Sequence, residues 1–323
     1  MSIYNHKRIG LALSGGGIRA AIYHLGVLKY LAEVGLFDNI TSISSVSGAS
    51  LCVGAIFAVN NNKWTDGERF LSETLPSVCE LIQSTDIQKS ALLRLPFTPK
   101  YWFHRVAMLA QMLEKKWGIT GSIQDLPQFP NAPYWEINCT TFETGHRWRF
   151  RRDYMGDYLV GKFPTPDLPI SHVIAASAGF PILIGPYTLQ VEGAKYTLWD
   201  GEVFDNLGME ALYKIERGLD SEIDYLIVSD ASAVMGKAQH KRGASVANVK
   251  RLLDISMHQV YALRSREFHT SIVENGKGAH LQISGAARNY PTTLSTPCKG
   301  DFDMILHNGY EVAKSNFEAF ASV

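Results

Sequence analysis

The N-terminal part of the chain contains two successive strand–turn–helix patterns, and this feature constrains the fold more than any other. Residues 8–14 form a short apolar run that ends in three glycines, and from residue 19 to about residue 33 the apolar residues recur at helical spacing. A second strand-like run over residues 40–46 ends at Ser47, and residues 51–59 predict a buried helix. Because a crossover helix returns the chain to the same end of a sheet, this order favours a parallel sheet.

The rest of the chain extends this α/β pattern without a boundary between domains. We predict hairpins over residues 134–151 and 187–199, strands over 225–229 and 280–284, and helices over 169–180 and 246–273. Residues 62–121 lack clear strands and are rich in helix formers, which indicates a helical insertion. No repeat, low-complexity tract or linker marks a second domain, so we expect a single domain over residues 1–323.

Composition excludes several classes of protein. The chain is 46% apolar, which is enough to bury a large core. Lys plus Arg and Asp plus Glu both number 31, so there is no basic footprint and nucleic acid is not an expected partner. The cysteines are scattered, with no histidine at zinc-ligand spacing, which is typical of reduced thiols in a cytosolic protein: Cys52, Cys79, Cys139 and Cys298. We expect neither a metal nor a cofactor.

The chain shows no signal for export or for crossing a membrane. Residues 1–8 are polar and lack the charged-then-apolar stretch of a secretory signal. Residues 39–62 and 168–191 are free of charged side chains over a length that could span a bilayer. However, the first stretch is crowded with Ser and Asn, and the second contains three prolines, so burial in a globular core explains both better. We therefore expect a cytoplasmic protein.

Three consecutive glycines, Gly15, Gly16 and Gly17, separate the first predicted strand from its helix. Glycine lets backbone amides approach a ligand closely, and a helix N-terminus adds positive partial charge, so such a loop can hold a phosphate or a developing oxyanion. A dinucleotide site would need an acidic residue at the end of the second strand, where this chain has Ser44, Ser45 and Val46. A purely structural tight turn is the other interpretation.

The segment from Ser45 to Ala49 follows the second predicted strand and precedes an apolar helix. A nucleophile elbow holds its serine in a strained turn that needs small residues two positions to either side, and Ser45 and Ala49 are both small. The two loops follow consecutive strands joined by one crossover helix, so they should be neighbours at one edge of the sheet. We therefore expect the glycine amides to face the Ser47 hydroxyl.

These segments, with a third one downstream, resemble the patatin-like phospholipase family of bacterial type. That family has a D-G-G-G-x-R-G loop, a serine elbow some thirty residues later and a distal D-G-G or D-G-A. The matching segments here are 14–20, 45–49 and Asp200-Gly201-Glu202, with further likeness at 175–181 and 203–208. The likeness spans residue 8 to about residue 232. It implies a patatin-like three-layer α/β fold with a central, mostly parallel sheet and a helical insertion at about 62–121.

The chain departs from the family pattern at three motif positions. Ser14 replaces the first Asp of the loop, Ala20 replaces its last Gly, and Glu202 replaces the second Gly after the aspartate. None of these changes removes a reacting atom, because the loop amides and the Asp200 carboxylate remain. Loop geometry and rate are the properties that these changes affect.

The resemblance implies a lipid acyl hydrolase that uses a serine–aspartate dyad. Asp200 would accept the Ser47 proton as the hydroxyl attacks an ester carbonyl, and an acyl-enzyme would form. An exposed aspartate has a pKa of about 3.9 and is a poor base, so we expect burial to raise the pKa of Asp200. The amides of Gly15, Gly16 and Gly17 would stabilise the tetrahedral oxyanion. Arg19 either helps to stabilise the oxyanion through its charge or is solvated or paired with an acidic group.

Other residues compete for these roles. Asp230 follows a predicted core strand, where α/β enzymes often place functional groups, and Asp205 lies in the same loop as Asp200 but is better suited to pinning that loop. A Ser–Asp–His hydrolase would need a late histidine, and His269, His280 and His307 are available, although none lies in a matching motif.

We predict a phospholipase A or lysophospholipase that cleaves phospholipid or another fatty-acyl ester. A general esterase or acyltransferase on soluble esters and a catalytically inactive lipid-binding protein are the alternatives. A phospholipid substrate requires transient, peripheral contact with a membrane surface. The aromatic run over residues 95–102 is either a lid or membrane-docking segment or an ordinary part of the helical insertion. The oligomeric state does not follow from the sequence.

Overall fold

A computed structural model of the chain describes residues 7–94, 104–181, 184–237 and 245–321. The strands are β1 Ile9–Leu13, β2 Ile40–Val46, β3 Tyr134–Thr141, β4 Arg147–Phe150, β5 Tyr154–Asp157, β6 Gly161–Pro164, β7 Tyr187–Val191, β8 Ala194–Asp200, β9 Tyr213–Lys214, β10 Gly218–Leu219, β11 Tyr225–Asp230 and β12 Gly278–Gln282. The helices are α1 Gly17–Glu33, α2 Gly48–Val59, α3 Gly67–Arg69, α4 Leu75–Ser84, α5 Ile87–Arg94, α6 Arg105–Trp117, α7 Ile170–Ser177, α8 Glu202–Asp205, α9 Val246–Phe268, α10 Gly285–Arg288 and α11 Lys299–Ala321.

Ten strands form one sheet in which a parallel half continues into an antiparallel half. The parallel order is β12-β11-β1-β2-β3, and β4, β5 and β6 extend it antiparallel. The hairpins β3–β4 and β7–β8 lie where the turn signals predict them. The mixed α/β fold with its central, mostly parallel sheet is confirmed. Strands β5 and β6 were not predicted, because both are short and β6 is largely exposed, so neither carries an apolar alternation.

Helices cover both faces of the parallel half, which explains why β1, β2 and β11 are buried along their whole length. Leu11 and Leu13 of β1 pack with α1, α2 and α11 on one face. Ala12, which points to the opposite face, packs with Tyr261 and Phe268 of α9. The chain therefore forms three layers, and the two cores lie on either side of the sheet.

Helix α11 packs closely along α1, and no sequence pattern predicted it. A Cβ atom added to Gly26 of α1 would lie 2.0 Å from the Leu306 carbonyl oxygen, and one added to Gly309 of α11 would lie 2.1 Å from the Tyr23 carbonyl oxygen. Any larger side chain at either position would therefore separate the helices. The glycines allow the two backbones to touch, and α11 fixes α1 in place.

The predicted insertion is helical in its described parts. Helices α3 to α5 and α6 occupy residues 67–94 and 105–117, and they pack on α1, α2 and α7. We propose that residues 62–121 are an insertion within one domain. The aromatic run over 95–102 lies outside the described residues. Within the described ranges, no helix has the length and apolar character needed to span a bilayer.

Candidate active site

Ser47 occupies a strained turn between β2 and α2. Its backbone has φ 52° and ψ −117°, a conformation that costs a non-glycine residue about 1–3 kcal/mol. The following residue, Gly48, packs directly on the glycine loop, since a Cβ atom there would lie 2.0 Å from the Gly17 carbonyl oxygen. The turn therefore has the backbone geometry expected of a nucleophile elbow, and the Ser47 side chain lies at the N-terminus of α2, where the helix dipole favours negative charge.

The sheet topology brings Asp200 to this turn. Strand β2 runs parallel to β3, so that Val46 lies opposite Asn138. Strand β8 runs antiparallel along the same edge of β3 and places Asp200 opposite Cys139, the very next residue. The carboxyl ends of β2 and β8 thus meet head to head, and the residues that follow them come into contact.

Ser47 and Asp200 are hydrogen-bonded. Ser47 Oγ donates to Asp200 Oδ2 at 2.8 Å, and the Glu202 amide donates to Asp200 Oδ1 at 2.9 Å. Asp200 is completely buried. Burial, reinforced by the neighbouring Glu202 charge, raises the pKa of Asp200 well above its usual value, although the two hydrogen bonds oppose the shift. The carboxylate is therefore a stronger base than an exposed aspartate.

A buried polar network that was not predicted from the sequence supports the Ser47 backbone. The Ser47 amide donates to Ser177 Oγ at 3.0 Å, and Ser177 Oγ donates to the Asn138 carbonyl oxygen at 2.7 Å. Ser50 Oγ lies 3.1 Å from Ser177 Oγ. Ser177 belongs to the 175–181 segment that resembles the family, and this was the signal that could have identified it.

The glycine loop lies beside Ser47, but its amides have different partners. The Gly15 amide donates to the Asn206 carbonyl oxygen at 3.1 Å, which ties the loop to the segment after α8. Gly16 and Gly17 have φ values of 137° and 64°, which strongly favour glycine. The proposed set of oxyanion donors therefore narrows to Gly16 and Gly17, because the Gly15 amide is bonded to a main-chain oxygen whereas the Gly16 amide lies near a side chain.

The Glu202 side chain lies against this loop. Burial raises the pKa of Glu202 to about 6, while attraction to Arg19 and the nearby Ser47 hydroxyl and Gly16 amide act in the opposite direction. The sequence analysis treated Glu202 only as a departure from the family motif. Its contact with both Ser47 and the loop makes it part of the site.

The buried Arg19 side chain links separate segments by hydrogen bonds and also carries a positive charge. Arg19 Nε donates to the Ala231 carbonyl oxygen at 3.1 Å, and Nη1 donates to the Tyr290 carbonyl oxygen. Burial lowers the pKa of Arg19, and the charges of Glu202 and Asp230 raise it. The guanidinium therefore fixes the start of α1 to two other segments and faces the Glu202 carboxylate.

Asp230 and His280, two of the rival residues, lie together but apart from Ser47. His280 Nε2 lies 3.1 Å from Asp230 Oδ2, and Tyr261 and Gln282 donate to the same oxygen at 2.8 and 3.2 Å. Strand β12, which carries His280, is three strands from β2, a separation of about 14 Å. His280 therefore does not reach Ser47.

The other alternative residues, Asp205, His269 and His307, also interact with groups away from Ser47. Asp205 accepts hydrogen bonds from the amides of Leu207 and Glu210 at 3.2 and 2.9 Å, so it pins its loop. His269 and His307 are exposed and lie beside glutamates on their own segments. In the described part of the chain, no cluster of His, Cys, Asp and Glu side chains could hold a metal ion.

Comparison with known proteins places this arrangement in a family. The family model Patatin-like phospholipase matches residues 11–213, which include the glycine loop, the Ser47 turn and Asp200. The chain belongs to the patatin-like phospholipase family. The matched segment ends before β11 and β12, so part of the parallel sheet lies beyond it.

Individual relatives of this patatin-like chain are distant or cover short segments. A patatin-like phospholipase domain-containing protein of Pyricularia oryzae is 25% identical over 265 residues, which is 74% of this chain and 30% of the fungal protein. Mouse cytosolic phospholipase A2 gamma is 45% identical over 49 residues, which is 15% of this chain and 8% of the mouse protein. The chain therefore spans less than a third of the length of these relatives.

A solved structure shares the fold of this patatin-like chain. Human GIVD cytosolic phospholipase A2 superposes with a TM-score of 0.62 at 13% sequence identity, over all of this chain and 60% of the human chain. At this identity the likeness concerns the fold alone. It agrees with the three-layer α/β architecture described above.

Proposed function

We propose that the chain is a lipid acyl hydrolase of the phospholipase A or lysophospholipase type, with Ser47 as nucleophile and Asp200 as base. The observation that carries this proposal is the 2.8 Å hydrogen bond from Ser47 Oγ to a buried carboxylate whose pKa is raised. Family membership indicates the substrate class, a fatty-acyl ester. The proposed reaction uses no cofactor.

In the first half of the reaction, Ser47 Oγ attacks the ester carbonyl carbon and its proton passes to Asp200 Oδ2. The carbonyl oxygen becomes an oxyanion, and the amides of Gly16 and Gly17 are the proposed donors to it. Each well-placed donor in such a site contributes about 3 kcal/mol to the transition state. Asp200 then returns its proton to the leaving alcohol as the C–O bond breaks, and the acyl group remains on Ser47.

In the second half, Asp200 removes a proton from water, which attacks the acyl-enzyme. Asp200 then returns this proton to Ser47 Oγ as the acyl C–O bond breaks, and the fatty acid is released. The same carboxylate therefore acts as base, acid, base and acid in turn. Its raised pKa suits this sequence, because it makes the carboxylate a better proton acceptor than an exposed aspartate. Histidine is not needed, in agreement with the separation between His280 and Ser47.

Helix α9 supports transient contact with a membrane surface. Its outward face exposes Val249, Leu252 and Leu263, with 55 to 65% of each residue's surface in contact with solvent. The N-terminal half of this helix is near the site, since Lys250 Nζ lies 5.9 Å from the centre of the Phe180 ring and Asp254 acts electrostatically on Glu202. We propose that this face meets the lipid surface from which the substrate is taken.

Replacing Ser47 with Ala tests the nucleophile. Because the acyl-enzyme cannot form, release of fatty acid from micellar phospholipid should fall by at least about 10³-fold, with unchanged thermal stability to within about 1 kcal/mol. Ser171→Ala is the matched control, since Ser171 is also buried and its hydroxyl has no hydrogen-bond partner among the described residues. Retained activity in Ser47→Ala would contradict the proposal.

The same assay separates the lipase from its alternatives. Wild-type rates on micellar phospholipid and on a soluble short-chain ester distinguish a phospholipase from a general esterase. Covalent labelling of Ser47 by a fluorophosphonate requires an activated hydroxyl. A chain that is neither labelled nor active on either ester would be a lipid-binding protein instead.

A further inference from the structure

Glu202 stands where the family motif has a glycine, and its carboxyl group lies in the cradle formed by the glycine loop. A Cβ atom added to Gly15 would lie 2.1 Å from Glu202 Oε1 and 2.6 Å from Glu202 Cδ. The same carboxyl group lies near the Gly16 amide and the Ser47 hydroxyl, and both of these groups favour its ionised form. The carboxyl group is thus held between the proposed nucleophile and the proposed oxyanion donors.

An ester carbonyl needs this same volume. For attack to occur, the carbonyl carbon must approach Ser47 Oγ to about 3 Å, and its oxygen must lie within hydrogen-bond reach of the loop amides. A group that contacts both Ser47 and the Gly16 amide already fills the position of that oxygen. The Glu202 carboxyl group and the carbonyl group of a bound substrate therefore exclude one another.

We propose that Glu202 is an internal occupant of the oxyanion site, which competes with the substrate carbonyl and has to leave before an ester can react. This inference rests on the proposed function, because it assigns a regulation to the same site. The carboxylate resembles the fatty-acid product chemically, so the free enzyme holds its own product-like ligand in place.

The charges around Glu202 show that this occupancy is only moderately favourable. Arg19 at the start of α1 attracts the carboxylate, whereas Asp200 at the end of β8 repels it. Asp254 on α9 also repels the Glu202 carboxylate. Lys250 Nζ lies 2.7 Å from Asp254 and partly offsets this repulsion. Asp230 at the end of β11 acts on Arg19, whose pKa it raises. One cation and two neighbouring anions leave the carboxylate displaceable by a competing ligand.

Protonation should weaken the occupancy. Burial raises the pKa of Glu202 to about 6, so the side chain is ionised at pH 7.5 and largely neutral at pH 5. The neutral form loses its attraction to Arg19 and interacts more weakly with the nearby Gly16 amide. The wild-type site should therefore open as the pH falls through about 6.

Titration calorimetry with octanoate tests the occupancy without requiring turnover, because octanoate presents the carboxylate and acyl chain of a reaction product. Glu202→Gly, which restores the family residue, should bind octanoate at pH 7.5 about tenfold more tightly than wild type, since a site open in a tenth of the molecules shows a tenfold weaker apparent affinity. Glu202→Ala should behave alike and keeps better helix propensity at the start of α8. The exposed Glu216→Ala is the control and should bind like wild type.

Two further measurements complete the test. Fluorophosphonate labelling of Ser47 should accelerate by the same factor in both Glu202 variants, and the difference from wild type should shrink at pH 5.5. Equal octanoate affinity in wild type, Glu202→Gly and Glu202→Ala would overturn the proposal. Tighter octanoate binding without fatty-acid release from any of these proteins would instead uphold the occupancy of the cradle and contradict the proposed hydrolase.

Discussion

Asp200 and Asp230 are two buried aspartates that end strands of the same sheet, yet their environments are opposite. Asp230 is surrounded by donors: burial opposes its ionisation, but hydrogen bonds from His280 and Ser232 and the charge of His280 outweigh burial and lower the pKa of Asp230. Among the described residues, Asp200 receives hydrogen bonds only from the Ser47 hydroxyl and the Glu202 amide, so burial and the neighbouring Glu202 carboxyl group raise its pKa. Burial alone therefore does not make an aspartate a base.

The number of donors decides what each carboxylate can do. A carboxylate with several strong donors is stabilised as an anion and has little tendency to take up a proton. Asp230 is such a group, and it joins β11 to β12 and α9. Asp200 has few donors, and one of them is the proposed nucleophile. Its anion is therefore less stabilised than that of Asp230, and it takes up a proton more readily.

The largest expected effect comes from neutralising each aspartate in turn. Asp200→Asn should lower kcat for phospholipid hydrolysis by about 10³–10⁴-fold, because the amide cannot accept the Ser47 proton. Asp230→Asn is the matched buried control and should leave kcat close to the wild-type value. Steady-state assays on the folded variants measure both. A large loss in Asp230→Asn together with full activity in Asp200→Asn would reverse the assignment.

A smaller effect should follow from removing the partner of Asp230. His280→Ala should lower the free energy of unfolding by about 2 kcal/mol at pH 7, because it leaves a buried carboxylate with one donor fewer. A group with a lowered pKa contributes stability above its unfolded-state pKa, and this stability is lost only as the pH falls through the lowered folded-state pKa, so the deficit should shrink well below pH 4. Urea denaturation at pH 7 and about pH 2 measures the change, with the exposed His269→Ala as control. A deficit that does not depend on pH would contradict this explanation.

The smallest effect concerns the stability cost of Asp200. A carboxyl group whose pKa is raised in the folded state loses stability as the pH rises above its unfolded-state pKa. Asp200→Asn should therefore be more stable than wild type at pH 7.5, by about 1 kcal/mol, and the difference should disappear toward pH 4. Thermal denaturation across this pH range measures it. A variant that is less stable than wild type at pH 7.5 would show that the Asp200 carboxylate, like that of Asp230, is stabilised by its hydrogen-bond donors.

The sequence predicted the parallel half of the sheet and the two central side chains for physical reasons that are local. The continuous apolar run of β1 is typical of a strand buried on both faces, and the glycines and the small residues around Ser47 are required by backbone geometry. Asp200 followed from a motif rather than from spacing. The structure places its carboxylate in hydrogen-bond contact with Ser47, and the catalytic role of the pair stays a prediction.

Features that depend on distant contacts were not accessible from the sequence. Strands β5 and β6 are held by pairing with β4 rather than by their own pattern. Ser177 meets the Ser47 amide across 130 positions of sequence, and the Gly15 amide meets the Asn206 carbonyl oxygen. The position of the Glu202 carboxyl group depends on the contact between α8 and the glycine loop, so a motif comparison detects the substitution but not where the side chain goes.

The glycine contacts between α1 and α11 determine how much of this chain a truncated variant must retain. The family match ends at residue 213. Helix α1 begins in the glycine loop, and α11, which lies beyond residue 213, packs on α1 through close backbone contacts at Gly26 and Gly309. β11 likewise borders β1 from beyond that limit. A fragment cut at residue 213 would keep Ser47 and Asp200 while losing the scaffold that holds the loop against them.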